Sequence, residues 1–220
     1  MAVYVMSDLH GCWRLYRRML EKIAFAVGDT LYLLGDAIDR GPDGVRILQD
    51  CMDRTNVHFL RGNHEDMMLR AFAGTNEIAD PEAAALWAYN HFQPTKHALM
   101  RLPADERQAI LDFVRRSPIE AELEINGQAF YLVHGRPADN DDDRLWGRPD
   151  DDACRPIPGK LTIVGHTPTC FLQQADPMCV WKGDGIWDID CGCVFPQSGG
   201  RLACVRLDDL DEIYVSDAGN

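Results

Sequence analysis

Two carboxylates and a guanidinium sit between glycines in Gly35-Asp36-Ala37-Ile38-Asp39-Arg40-Gly41, directly after the apolar run Leu31-Tyr32-Leu33-Leu34. Folding alone gives no reason for them, because charges at the mouth of a buried strand are costly unless paired, hydrated or bound to metal. The pattern recurs along the chain. A strand over 3–6 ends in Ser7-Asp8-Leu9-His10-Gly11, one over 57–60 in Arg61-Gly62-Asn63-His64-Glu65, one over 129–133 in His134-Gly135-Arg136, and one over 161–164 in Gly165-His166-Thr167-Pro168. Asp8, His10, Asp36, Asn63, His134 and His166 are therefore six candidate ligands on five strand ends. Carboxylate, carboxamide and imidazole without thiolate suit a divalent ion such as Mn2+, the ion expected first, or Fe2+ or Zn2+. A structural zinc site would prefer cysteine. Six ligands over-supply one ion, so two ions roughly 3.5–4 Å apart are expected, with Asp36 bridging them. Such a pair can hold a bridging hydroxide for in-line displacement at phosphorus.

The neighbouring residues fit that reaction. Arg40 and Arg61 stand beside ligands on two strand ends, where guanidinium forks can grip phosphate oxygens. His64 follows Asn63 and is placed to protonate a leaving alkoxide, with Asp39 as the carboxylate that orients it. A single aspartate or histidine would ordinarily be a cap or a surface group. Their joint occurrence at successive strand ends is not explained that way.

The elements that must bring these residues together are legible from periodicity. Residues 3–6, 30–34 and 57–60 read as strands, and the segments after them carry apolar residues at helical spacing, as in Leu15, Tyr16, Met19, Leu20 and Ile23. Strand–helix–strand crossovers imply parallel strands, whose carboxyl ends gather ligands. Residues 74–117 read as a helical insertion. Residues 119–125 and 129–133 alternate with period two around Asn126-Gly127, a strong hairpin signal. The runs Asp141–Asp143 and Asp150–Asp152 read as solvated loop charge, and the tail is β-rich. No internal repeat or linker interrupts 1–220, so one α/β domain is expected.

A net charge of −13 over 220 residues disfavours nucleic acid and anionic membranes as partners. No apolar run approaches the roughly 20 residues a membrane span requires. Met1–Val5 enters a strand with no basic or apolar leader, so the cytoplasm is the expected address. The eight cysteines are scattered and read as ordinary thiols rather than a disulfide framework.

Asp8-Leu9-His10-Gly11, Gly35-Asp36-x-x-Asp39-Arg40-Gly41 and Gly62-Asn63-His64-Glu65 resemble the signature motifs of the phosphoprotein-phosphatase branch of calcineurin-like metallophosphoesterases. His134-Gly135 and Gly165-His166-Thr167-Pro168 resemble the later histidine motifs, and the likeness runs in order from about 3 to about 207, nearest to compact bacterial and bacteriophage-type serine/threonine phosphatases. The resemblance implies a four-layer α/β/β/α sandwich with a small helical cap. It implies one ion held by Asp8, His10 and Asp36 and a second by Asp36, Asn63, His134 and His166. It also implies phosphate held by Arg40 and Arg61, an Asp39–His64 acid pair, and a further phosphate-binding arginine, Arg148, in Trp146-Gly147-Arg148. Trp87 and Asn90 resemble a cap segment lining the substrate cleft; packing core is the other reading of Trp87. Ser7 and Gly135 depart from the usual glycine and alanine, and neither change removes a ligand.

A metal-dependent phosphomonoesterase acting on phosphoserine and phosphothreonine proteins is thus expected first. The alternative is a dinucleoside-tetraphosphate hydrolase, a nucleotide enzyme. The resemblance sets it second, because such hydrolases usually lack an acid at the position of Asp39 and carry aspartate where Glu65 stands. An inert scaffold has no use for Asp39, Arg40, Arg61 and His64, and a nucleic-acid phosphodiesterase would need a basic stripe that is missing.

Overall fold

The computed structural model describes residues 1–172 and 176–217. In chain order the elements are β1 (Val3–Met6), α1 (Trp13–Lys22), β2 (Thr30–Leu33), α2 (Gly44–Asp53), β3 (Val57–Phe59), α3 (Asn63–Phe72), α4 (Pro81–Tyr89), α5 (Gln93–Arg101) and α6 (Ala104–Arg116). They continue with β4 (Glu120–Ile125), β5 (Gln128–Val133), α7 (Asp141–Trp146), β6 (Lys160–Val164), β7 (Trp181–Gly183), β8 (Ile186–Asp188), β9 (Leu202–Arg206) and β10 (Asp211–Val215). They build two mixed five-stranded sheets, ordered β10-β9-β1-β2-β3 and β4-β5-β6-β8-β7.

Strand pleat decides where each side chain goes, since successive residues point to opposite faces. In β1, Tyr4 and Met6 enter the core beneath the helices while Val5 enters the core between the sheets. Leu31 and Leu33 of β2 face the helices, and Tyr32 and Leu34 face the other sheet. In β5, Phe130 and Leu132 meet them from the second sheet, with Tyr131 and Val133 on its outer face. Both faces of these strands are covered, which is why they read as continuous apolar runs. The outer face of the second sheet is thinly covered, by Cys154 and Ile157 of the loop before β6.

β1, β2 and β3 pair in parallel, as do β5, β6 and β8, so the carboxyl ends of two parallel triplets open on the same side. The 74–117 segment supplies α4, α5 and α6, whose Trp87, Leu99, Ile110 and Leu111 join the helix-side core. Two local details stand out. α2 starts at Gly44, because Gly41 and Asp43 donate their backbone N–H groups to His10 and Gly11 carbonyls and stay in the loop. The acidic run at 141–143 is the first turn of α7, where Asn140 caps the Asp143 N–H and carboxylates favour the positive helix end.

Candidate dinuclear metal site

Three motif loops pack backbone against backbone. Gly35 has φ +88°, and a Cβ there would lie 2.4 Å from Gly62 N; a Cβ on Gly41 would lie 2.3 Å from the His10 carbonyl oxygen. Only glycine permits both approaches. Asp8, His10, Asp36, Asp39, Arg40 and His166 all hold positive φ without being glycine. Such backbone strain is costly and gathers at functional sites.

Glu65 keeps the central loop in that shape. Its fully buried carboxylate accepts the N–H groups of Asp36 (2.9 Å), Ala37 (2.9 Å), Ile38 (3.3 Å) and Gly62 (3.0 Å). Burial and the nearby Asp36 push its pKa up to about 7. The glutamate therefore acts as a clip joining the second and third motifs.

The six predicted ligands meet. Asp36 is buried and turns its two oxygens to two groups: Oδ2 lies 3.6 Å from His10 Nε2, and Oδ1 lies 3.4 Å from His134 Nε2. On the first side, Asp8 Oδ1 stands 3.8 Å from His10 Nε2. Asp8 Oδ2 accepts from Ser7 Oγ and from the His166 N–H at 2.9 Å, whereas Oδ1 is buried with no hydrogen-bond partner among the described residues. Ser7, a departure from the usual glycine, thus bonds to one of these candidate ligands. On the second side, Asn63 Oδ1 lies 2.9 Å from His134 Nε2 and 3.1 Å from His166 Nδ1. His10 and His134 give their Nδ1–H groups to the carbonyls of Ile38 and Leu34, which turns each Nε2 toward Asp36. Burial and Arg40 lower the His10 pKa well below normal, and burial and His134 bring His166 down to about 3. Burial would lower His134 too, yet Asp36 outweighs it and lifts His134 to about 10.

Donor atoms of His10, Asp36 and His64, and of Asp36, His134 and His166, lie within 4.8 Å of one another. In the first trio His64 takes the place expected of Asp8. His64 has committed its Nδ1–H to Asp39, and the unpaired oxygen belongs to Asp8, so Asp8 is the better-suited donor. A buried carboxylate oxygen with no partner among the described residues, imidazole nitrogens turned inward and a carboxylate facing both ways fit a pair of divalent cations.

His64 Nδ1 lies 2.7 Å from Asp39 Oδ2, and its Nε2 faces Asp36. Burial would lower the His64 pKa, but Asp36 and Asp39 raise it above normal. Sequence reasoning missed the next link. Trp87, completely buried in α4, donates its Nε1–H to the same Asp39 oxygen at 2.7 Å, and the Asp39 N–H goes to Thr95 Oγ1 of α5 at 2.8 Å. Trp87 is thus core, but core that touches the acid pair. Asn90 lies in a neighbouring cleft and donates to the Leu86 carbonyl.

The arginines differ. Arg40 reaches His10 Nε2 and, at 3.2 Å, His64 Nε2, so its guanidinium lies against the site. Arg61 Nε has no hydrogen-bond partner among the described residues and stands 4.0 Å from Asp66. Arg148 turns elsewhere: Nε and Nη2 bind both oxygens of Asp150 at 2.9 and 3.0 Å, so the guanidinium is engaged in its own loop. A sixth strand end was also missed. Asp188 ends β8 and Asp190 follows it; both are buried, and burial raises the pKa of both, with Asp8 adding to Asp190. The rule that found the other five would have found Asp188-Ile189-Asp190. No disulfide joins cysteines among the described residues; Cys193 donates its thiol to the Asp8 carbonyl at 3.2 Å.

A family model described as calcineurin-like phosphoesterase matches residues 1–183. The chain belongs to that family. Among curated proteins, it is 30% identical over 136 residues to a symmetrical bis(5'-nucleosyl)-tetraphosphatase of Paracidovorax citrulli (strain AAC00-1), covering 61% of this chain and 44% of that one. The chain thus spans less than half the length of this relative. It is 25% identical to the asymmetrical bis(5'-nucleosyl)-tetraphosphatase PrpE of Geobacillus sp. (strain WCH70), covering 98% of this chain and 94% of that one. A solved protein serine/threonine phosphatase from Saccharomyces cerevisiae shares the fold of this chain, with TM-score 0.53 and 16% identity over 98% of this chain and 79% of that one.

Proposed function

We propose that the chain is a metal-dependent hydrolase of dinucleoside polyphosphates. The observation that carries this reading is the match to an asymmetrical bis(5'-nucleosyl)-tetraphosphatase over 98% of this chain and 94% of that one. The phosphoprotein reading expected from Asp39 and Glu65 moves to second place. Glu65 has a structural duty as the loop clip, which does not depend on substrate class, so its identity is weak grounds for choosing a phosphoprotein.

In this reading Asp8, His10 and Asp36 would hold one ion, and Asp36, Asn63, His134 and His166 the other. The ions would supply Lewis-acid charge at the phosphate and lower the cost of activating water. Arg40 and Arg61 bind phosphate oxygens. His64 donates a proton from Nε2 to the leaving oxygen, held by Asp39, whose carboxylate Trp87 keeps in place. Arg148 would join the phosphate only after releasing Asp150.

The test is a side-by-side assay of metal-stripped protein reconstituted with Mn2+, on diadenosine tetraphosphate and on a phosphoserine peptide. The expected result is a higher kcat/KM for the dinucleotide; product analysis then tells two ADP from ATP plus AMP. A higher kcat/KM for the peptide would restore the phosphoprotein reading.

A further inference from the structure

A cleft of about 900 Å³ opens beside Arg40, lined among others by Tyr89, His91, Gln93 and Phe195. Such a volume lies in the range of small-molecule sites. Its two walls come from distant parts of the chain. One is the end of α4 and the turn into α5, where His91 adopts φ +65°. The other is the segment after the buried Asp190, which carries Phe195.

Both walls are tied to the phosphate-binding residue. The Arg40 N–H donates to the His91 carbonyl at 3.1 Å, and the Arg40 guanidinium carbon lies 5.9 Å from the Phe195 ring centre. Among the described residues three aromatic side chains are strongly exposed, and two of them, Tyr89 (84%) and Phe195 (40%), line this cleft. An aromatic ring left in water beside an arginine has apolar area to cover and a flat face to offer. Gln93 and His91 bring a carboxamide and an imidazole to the same wall, groups able to bond the edge of a heterocycle.

The geometry points to a nucleobase subsite: Tyr89 and Phe195 stack one base of the substrate while Arg40 holds the phosphate next to its ribose. This rests on the dinucleoside-polyphosphate reading and adds where the nucleoside goes. Stacking is sequence-tolerant, because every base has a π-face, so adenine and guanine nucleotides should both be accepted. A phosphopeptide would bring a flexible main chain to this place, with no flat ring to meet the exposed faces.

The experiment compares wild type, Tyr89→Ala, Tyr89→Phe and Phe195→Ala. Two quantities are read: KM for diadenosine tetraphosphate, and the competitive inhibition constants of ADP and of pyrophosphate. Loss of one stacking face should raise KM for the dinucleotide and Ki for ADP by about 10- to 100-fold. Ki for pyrophosphate, which has no base, should stay put, and Tyr89→Phe should behave as wild type. Tyr89 is so exposed that its removal threatens no core. If ADP and pyrophosphate weaken in parallel, or neither weakens, the subsite is overturned while the substrate reading stands. If the wild type turns over the phosphoserine peptide but not the dinucleotide, both fall.

Discussion

At the scale of residues, the buried chain Trp87–Asp39–His64 makes the clearest demand. Trp87 Nε1 and His64 Nδ1 each lie 2.7 Å from the same Asp39 oxygen. A general acid matters most when the leaving oxygen is a poor one. His64→Asn is therefore expected to slow hydrolysis of an alkyl phosphate such as phosphoserine by about 10²–10⁴, and to slow cleavage of a phosphoanhydride or an aryl phosphate much less. Equal losses on all three substrates, in steady-state assays, would argue against the acid role. Trp87→Phe keeps a ring in the core but removes the N–H donor to a buried carboxylate. It should cost about 1.5–3 kcal/mol of stability, the scale of a hydrogen bond to a charged group. It should also lower turnover less than His64→Asn, as melting curves and kcat together would show.

At the scale of elements, the loop after β2 is fastened by α3 rather than by its own residues. Glu65, in the first turn of α3, collects four backbone N–H groups from two motifs. Glu65→Gln exchanges an acceptor oxygen for an amide NH2 that must face two of those donors. The variant should lose about 1–3 kcal/mol, the penalty of an unsatisfied buried group, and should bind metal more weakly because Asp36 is no longer held. Denaturation and metal titration of one preparation would check both. The sheets respond differently. Leu132→Ala opens a cavity between them and should cost about 2–5 kcal/mol, with metal binding retained in the folded fraction.

For the whole molecule, the decisive fact is the crowding of buried carboxylates. Asp8, Asp36, Asp188 and Asp190 are all at most 3% exposed and sense one another's charge. Divalent cations would relieve that repulsion. Binding to the folded form alone stabilises it by about 2.7 kcal/mol at a hundredfold excess over Kd. Saturating Mn2+ should accordingly raise the melting midpoint by several degrees, and a chelator should reverse the rise. Asp36→Asn should abolish most of it. An identical midpoint with and without chelator would count against a cation pair held by these residues.

The sequence alone carried the parallel strands, the hairpin at Asn126-Gly127 and the convergence of Asp8, His10, Asp36, Asn63, His134 and His166. These are properties of local period and of the rule that parallel strands present their carboxyl ends together, so no distant contact was needed to see them. It did not carry Trp87, which lies 48 residues from Asp39 and looks like any apolar helix residue until the indole N–H is seen pointing at the carboxylate. Nor did it show that Arg148 turns to Asp150, or that Glu65 serves the backbone. A side chain's partner depends on what the fold brings opposite it. Residue type and spacing determine what each of these groups can do, and only the packed structure decides whom it does it with.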